Sequence, residues 1–427
     1  MRQTSVPAPG NVDHHNMQFL AQAKRIYEVP GNQSRLVAIE GIRGLAVLLV
    51  FFVHFHALFQ QYPFHNGVPF LVSRFLGTIG HVGVDLFFVI SGYLIYGALM
   101  RQPVSYSRFI ERRVQRIYPA FLCVLLLHLL LSFFFPQESK IQGPFFSRVA
   151  YILQNLFLLP GVFNITPIIR VAWSLSFEFF FYLFLPLLVW FTELRQWRRR
   201  SRVCFFAAGS AVYVIYAFML SASRVRLLMF VAGILLYEAH TSGFFKRILT
   251  RRYELAAIVL FLCSLCFAYL IDTRRDLLIF LPRLNAGNTL VPGVSTYQGP
   301  YKLICFGVGC FWFLLFSIGY PGLLRTIFYW TPLRYLGNMS YSYYLIHGVT
   351  LKALAVVSFS IVPPADRSDW LFGVFLVLGV IATWVSSTIL FVTIEKPLSI
   401  HAFATAARGR NQQSTLTTAT CEQVSAR

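Results

Sequence analysis

Charge is scarce in this chain. Asp, Glu, Lys and Arg make up 12% of it, against roughly 25% in soluble domains, while hydrophobic residues make up 57%. That balance excludes an ordinary soluble globular protein. Acid is scarcer than base, 16 residues against 37. A secretory leader is also missing: the first 34 residues are polar, with scattered Pro and Gly, and have no apolar h-region. They are expected to be a flexible cytoplasmic lead-in, in which His14-His15 is incidental. Residues 399–427, rich in Ala, Thr and Gln, are expected to be a disordered cytoplasmic tail. Neither end shows a recognisable soluble catalytic domain, and no solenoid repeat is present. Cysteines number seven, and Cys263-x-x-Cys266 has no second pair or histidine beside it, so no metal is expected.

What the chain does have is apolar runs near 20 residues, each long enough to span a bilayer. They fall at about 38–60, 78–99, 117–135, 170–191, 203–220, 225–240, 254–271, 301–319, 335–358 and 370–392. The fold class is thus an all-α integral membrane protein of about ten transmembrane helices, its membrane domain covering residues 35–398. The sixth run is short at its outer end, where Arg224 and Arg226 must snorkel. Residues 149–163 are apolar but stop at Pro160-Gly161, which reads as an interfacial or re-entrant segment.

Basic residues fix the orientation, because Lys and Arg accumulate in cytoplasmic loops. With both termini cytoplasmic, Arg101, Arg108, Arg112, Arg113 and Arg116 fall inside, as do Arg195 to Arg202 and Lys246 to Arg252. Arg274, Arg275 and Arg283 are the largest outer group. Topology therefore explains most of the +21 net charge, and no nucleic-acid partner is expected.

The stretch from Arg35 to Phe59 organises the rest. It is apolar enough to span, yet it carries Glu40, Arg43, His54 and His56. Charge inside a spanning helix is costly and normally faces a partner or a watery cavity. Arg43 and His54 are eleven residues apart, about three turns plus roughly 20°, so they share a face about 16 Å apart along the axis. Glu40 lies near that face and His56 nearly opposite it.

Other intramembrane polar groups follow. Asp85 in the second run lies at a depth comparable with His54, where a carboxylate would orient the imidazole; pairing with another base, or capping a broken helix, is the alternative. Ser91-Gly92 permits close approach, for packing or for substrate. Arg113 and Arg116, one turn apart, suit a phosphorylated donor, or simply follow the positive-inside rule. Glu178 sits about two turns into the fourth run, with Ser174 a turn earlier and Trp173 at the interface. His347 lies near mid-membrane, either satisfied by neighbouring hydroxyls or catalytic. Glu395, at the inner end of the last run in Glu395-Lys396-Pro397, would answer the basic loop.

Taken in order, EGIRG with His54 following, GVDLFFVISGYLI, RRVQRIYP, WSLSFE, LGNMSYSYYLIH and IEKP resemble acyltransferase family 3, the multi-span membrane acyltransferases. The resemblance covers about residues 35–398. It implies that Arg43 and His54 are the family's arginine–histidine signature, and that Arg113 and Arg116 match its two-arginine motif for the acyl-CoA donor. Glu40 replaces the family's usual aspartate. The extracytoplasmic esterase-like domain of longer members is not in this sequence, so any second transfer step is expected to need another protein.

The function implied is O-acylation, with acetyl-CoA or another acyl-CoA as co-substrate. The acceptor is a glycan or lipid-linked sugar at a bacterial inner membrane. A small molecule such as a macrolide is the alternative acceptor. A transporter is the rival class, but it predicts matched halves with paired broken helices, which the sequence lacks.

Overall fold

The computed structural model describes residues 18, 21–29, 37–59, 68–219, 225–273, 300–362 and 370–401. Arg35, Arg224, Arg274, Arg275, Arg283, His14-His15 and the tail beyond residue 401 lie outside these. Each of the ten expected runs falls on helix. The helices are α1 (Val37–Phe59), α2 (Val68–Ile79), α3 (Val82–Arg101), α4 (Tyr106–Phe134) and α5 (Phe145–Leu156). After them come α6 (Ala172–Phe191), α7 (Arg199–Met219), α8 (Leu228–Ser242), α9 (Arg251–Thr273) and α10 (Pro300–Gly319). Last are α11 (Leu323–Phe328), α12 (Thr331–Asn338), α13 (Ser340–Ile361) and α14 (Trp370–Leu390). No named strand occurs among the described residues.

Helix is what such sequence must form in lipid, because it satisfies every backbone donor and acceptor within one segment. Eight helical stretches are long and apolar enough to cross a membrane. The two expected spans outside that set are α7, which opens on Arg199, Arg200 and Arg202, and the described part of α10, Ile304–Gly319. Helix α5, at 12 residues, is too short to cross. It ends in tight backbone turns with positive φ at Leu158 (55°) and Gly161 (93°). A side chain at Gly161 would run into the backbone of Trp173, so the loop is folded against the start of α6.

Glycines set the closest approaches. A Cβ on Gly92 of α3 would strike the carbonyl of Phe230, and one on Gly233 of α8 would strike that of Val89. Gly92 therefore serves the packing of α3 on α8. At the start of α1, Gly41 lies against the Phe328 backbone and Gly44 against Leu333, with Gly337 against Glu40. The expected ninth run is in fact two helices, α12 packed on α1 and α13 following it, joined at Met339.

Two further expectations are corrected. Residues 21–29, part of the supposedly flexible lead-in, are helical over 21–27 and pinned. The Tyr27 hydroxyl bonds Thr388 at 3.0 Å and accepts from Trp384 Nε1 at 3.0 Å, and its ring stacks on Tyr335. Lys396 Nζ holds the Arg25 and Ile26 carbonyls at 2.7 Å. An aromatic side chain and four hydrogen bonds outweigh the polar composition. Nor does Glu395-Lys396-Pro397 end the last helix: α14 continues through Phe391–His401 as a wide π-type coil. A wider coil relieves the clash that Pro397 would make with the preceding turn of an α-helix.

Candidate active site

The polar groups of the bundle gather in three places. Deepest is a pair of imidazoles, His54 of α1 against His347 of α13, ring centroids 4.8 Å apart at 64°. His347 is fully buried, with Nδ1 3.1 Å from the Tyr343 carbonyl. A carbonyl only accepts, so Nδ1 carries the proton and Nε2 is left as a lone pair. That Nε2 is buried without a partner among the described residues. A buried polar atom with no partner is uncommon and marks a site of strain or chemistry. The alternative reading of His347, a ring satisfied by neighbouring hydroxyls, is excluded for Nε2. Tyr343 and Tyr344 flank the ring at 6.3 Å and 6.0 Å.

Asp85 was expected beside His54. It instead forms an ion pair with Arg226 at 3.4 Å, both side chains largely buried, while the groups that act electrostatically on His54 are His347, Arg170 and His81. The reason is charge balance: a carboxylate inside the bundle is drawn to a full cation before a neutral imidazole. Arg226 also lies 5.2 Å from the Trp173 ring, a cation–π contact that gives Trp173 its role. Ser174 bonds the Tyr344 hydroxyl at 2.5 Å, and both touch the Val171 carbonyl, at 3.1 Å each. Ser174 thus supports the tyrosine that flanks His347.

The second place is the half nearer the arginine-rich loops, where Arg113, Arg116, Glu178 and Glu395 come together. Glu178 accepts hydroxyl protons from Ser91 and Tyr182. Arg113 lies over the rings of Tyr182 (5.4 Å) and Phe109 (5.1 Å), within electrostatic reach of Glu178 and Arg116. Its Nε is buried and unbonded among the described residues. Arg116 reaches Glu395 at 3.8 Å, and Glu395 accepts from the Ser342 amide at 3.1 Å and its hydroxyl at 2.6 Å. Glu395 answers the basic loop as expected, though from the π-type coil. The two arginines face inward, whereas Arg108 and Arg112 are exposed.

Glu40 and Arg43 occupy the N-terminal end of α1. Glu40 is buried and bonded by Arg334 of α12 through Nη2 (3.1 Å) and Nε (3.2 Å). Arg43 is half-buried three residues on. His56, across the helix, bonds Ser73 at 2.8 Å. The glycines of EGIRG are thereby tied to helix packing and its glutamate to a structural ion pair.

The third place is the end remote from the arginine-rich loops. Lys140 Nζ donates to the Pro167 carbonyl at 2.8 Å. Burial, with Arg170 and Lys352 nearby, pushes its ammonium down to about 8. Sequence reasoning passed over Lys140, Arg170 and Arg334, and read Arg226 as snorkelling where it pairs with Asp85. That pairing was findable: an intramembrane carboxylate needs a cation, and Arg226 stood at the end of the sixth run.

Among the described residues no group of three metal-ligating side chains occurs, and the described cysteines are free. What the arrangement offers is an imidazole pair within the bundle suited to proton transfer, with a guanidinium cluster on one side and a second basic cluster on the other.

The comparison with known proteins agrees with this class. A model of the acyltransferase domain of acyltransferase family 3 matches residues 36–392, and the chain belongs to that family. It is similar to the peptidoglycan O-acetyltransferase OatA of Listeria monocytogenes, 25% identical over 86% of this chain and 56% of the relative. It is also similar to the exopolysaccharide production protein ExoZ of Rhizobium meliloti, 28% identical over 66% of this chain and 80% of that one. The acyltransferase MdmB of Streptomyces mycarofaciens is 31% identical over 44% of this chain and 47% of its own. The chain thus spans about half the length of two of these three. No solved structure matches it at a significant level.

Proposed function

We propose that this chain is a ten-span O-acetyltransferase of a bacterial cell membrane, with both termini cytoplasmic. In this reading it moves an acetyl group from cytoplasmic acetyl-CoA to a hydroxyl of a surface glycan or its lipid-linked precursor. The observation that carries the reading is the His54–His347 pair with its bare, buried Nε2. Family membership and relatives named for polysaccharide work support the acceptor class.

Arg113 and Arg116 approach the anionic end of the donor, with Glu178 and Glu395 balancing their charge. His54 takes the hydroxyl proton as the acceptor oxygen forms its bond to the acetyl carbon. The carbon–sulfur bond breaks, and the thiolate of CoA leaves and recovers the proton. His347 orients the His54 ring from behind, and Arg43 shares the His54 face toward the donor side. General-base help of this kind contributes about 10²–10⁴-fold.

The test compares ester-linked acetyl on surface glycans from cells with the gene, without it, and with His54→Ala or His347→Ala. Both variants are expected to insert normally and to lose the ester. Normal ester content in cells without the gene would end the proposal.

A further inference from the structure

Arginine gathers at one end of this bundle, as cytoplasmic loops require. The opposite end breaks that pattern. Lys140, between α4 and α5, lies within electrostatic reach of Arg170, just before α6, and of Lys352 on α13. Arg170 in turn acts on His54. Lys140 Nζ donates to the carbonyls of Pro167 at 2.8 Å and Ile168 at 3.5 Å, so its ammonium is fixed on the loop that carries Arg170. Glu138 pairs with Lys352 at 2.6 Å, both exposed. His128 of α4 lies at the edge. Lys140 is thus two residues from the Glu138 that Lys352 pairs with, and its ammonium is held by carbonyls two to three residues before Arg170, at the end where topology asks for no cation. Like charges so gathered repel, and an anion entering among them relieves that repulsion.

We propose that Arg170, Lys140 and Lys352 form a subsite for an anionic oxygen group, carboxylate or phosphate, on the acyl acceptor, seating its hydroxyl toward His54. The inference rests on the acyltransferase reading and names its acceptor class. Arg170 is exposed, and its planar fork suits two-point binding of such a group. The ammonium of Lys140, held by two carbonyls, and that of Lys352 supply point charges. Two sources present this chemistry, an acidic sugar of the glycan and the diphosphate of a lipid carrier.

The test uses the full chain in phosphatidylcholine nanodiscs, with three probes: trigalacturonate, a short polyprenyl diphosphate, and neutral maltotriose. At least one anionic probe is expected to bind tenfold or more tighter than maltotriose. Arg170→Gln and Lys352→Gln should each lose tenfold of that, with Arg170→Lys between. Preference for trigalacturonate assigns the sugar, and preference for the diphosphate assigns the carrier. Acetyl-CoA binding, at the other end, should not change and reports folding of each variant. Equal affinity for all three probes overturns the subsite. So does unchanged anion affinity in the two Gln variants; Lys352→Gln, at an exposed position, decides the matter should Arg170→Gln fail to fold. Absence of acetyl-CoA binding by the unaltered chain would sink the acyltransferase reading instead, and the anion preference would stand or fall separately.

Discussion

Asp85 shows how much a single side chain depends on its partner. Removing one member of a buried ion pair leaves the other charge uncompensated, at a cost of about 3–5 kcal/mol. Asp85→Asn is therefore expected to lower the amount of inserted protein, because it strips the carboxylate from Arg226. Immunoblots of membranes measure this, and Asp85→Asn combined with Arg226→Gln should restore part of the loss. Full abundance with slow turnover would return Asp85 to the imidazole. His56→Ala, which gives up one bond to Ser73, should keep most activity. At this scale the sequence was legible in residue type: His54, Glu178 and His347 all face the interior polar clusters. Pairing was not legible, since Glu40 and Asp85 chose Arg334 and Arg226 on helices whose neighbourhood only packing decides.

Between residue and molecule lie the helix junctions, and the π-type coil after α14 is the one with chemistry in it. Hydrophobic length located the long helices but not α2, α11 or the helix over residues 21–27, and neither the break at Met339 nor the wide coil at Phe391–His401 has a strong local signal. Both arise because α12 packs on α1 at Gly44, and because Glu395 turns toward Arg116 and Ser342. This arrangement makes the two roles of Arg116 separable. Should Arg116 serve the donor, Arg116→Ala raises the acetyl-CoA KM severalfold or more, a charge-assisted bond being worth about 1.5–3 kcal/mol, while Glu395→Gln leaves that KM nearly unchanged. Should it serve only to hold the coil, the two variants act alike, lowering abundance with KM unaltered. Steady-state kinetics on membranes, normalised to protein, distinguishes these outcomes.

The whole molecule is organised by two charge fields at opposite ends of one apolar bundle, with the imidazole pair between them. Composition made the membrane class legible, and the arginine-rich loops made the orientation an expectation. The second field was not legible, because Lys140, Arg170 and Lys352 are far apart in sequence and only the fold brings them together. In the proposed function, orientation gives this polarity a direction of transfer, from a soluble donor on one face to an acceptor on the other. In a cysteine-free variant, a cysteine placed at Arg198 should react with an impermeant maleimide only after the membrane is opened. One placed at Lys352, whose side chain is exposed, should react in intact cells. Reaction at both positions from outside would break the assignment of ends, and reversal of the two would turn the bundle over. With the bundle reversed, the basic field at Arg170 would face the cytoplasm and the donor, and the acceptor would have to be read from the Arg113 side. The labelling pattern thus decides which cluster of cations belongs to which substrate.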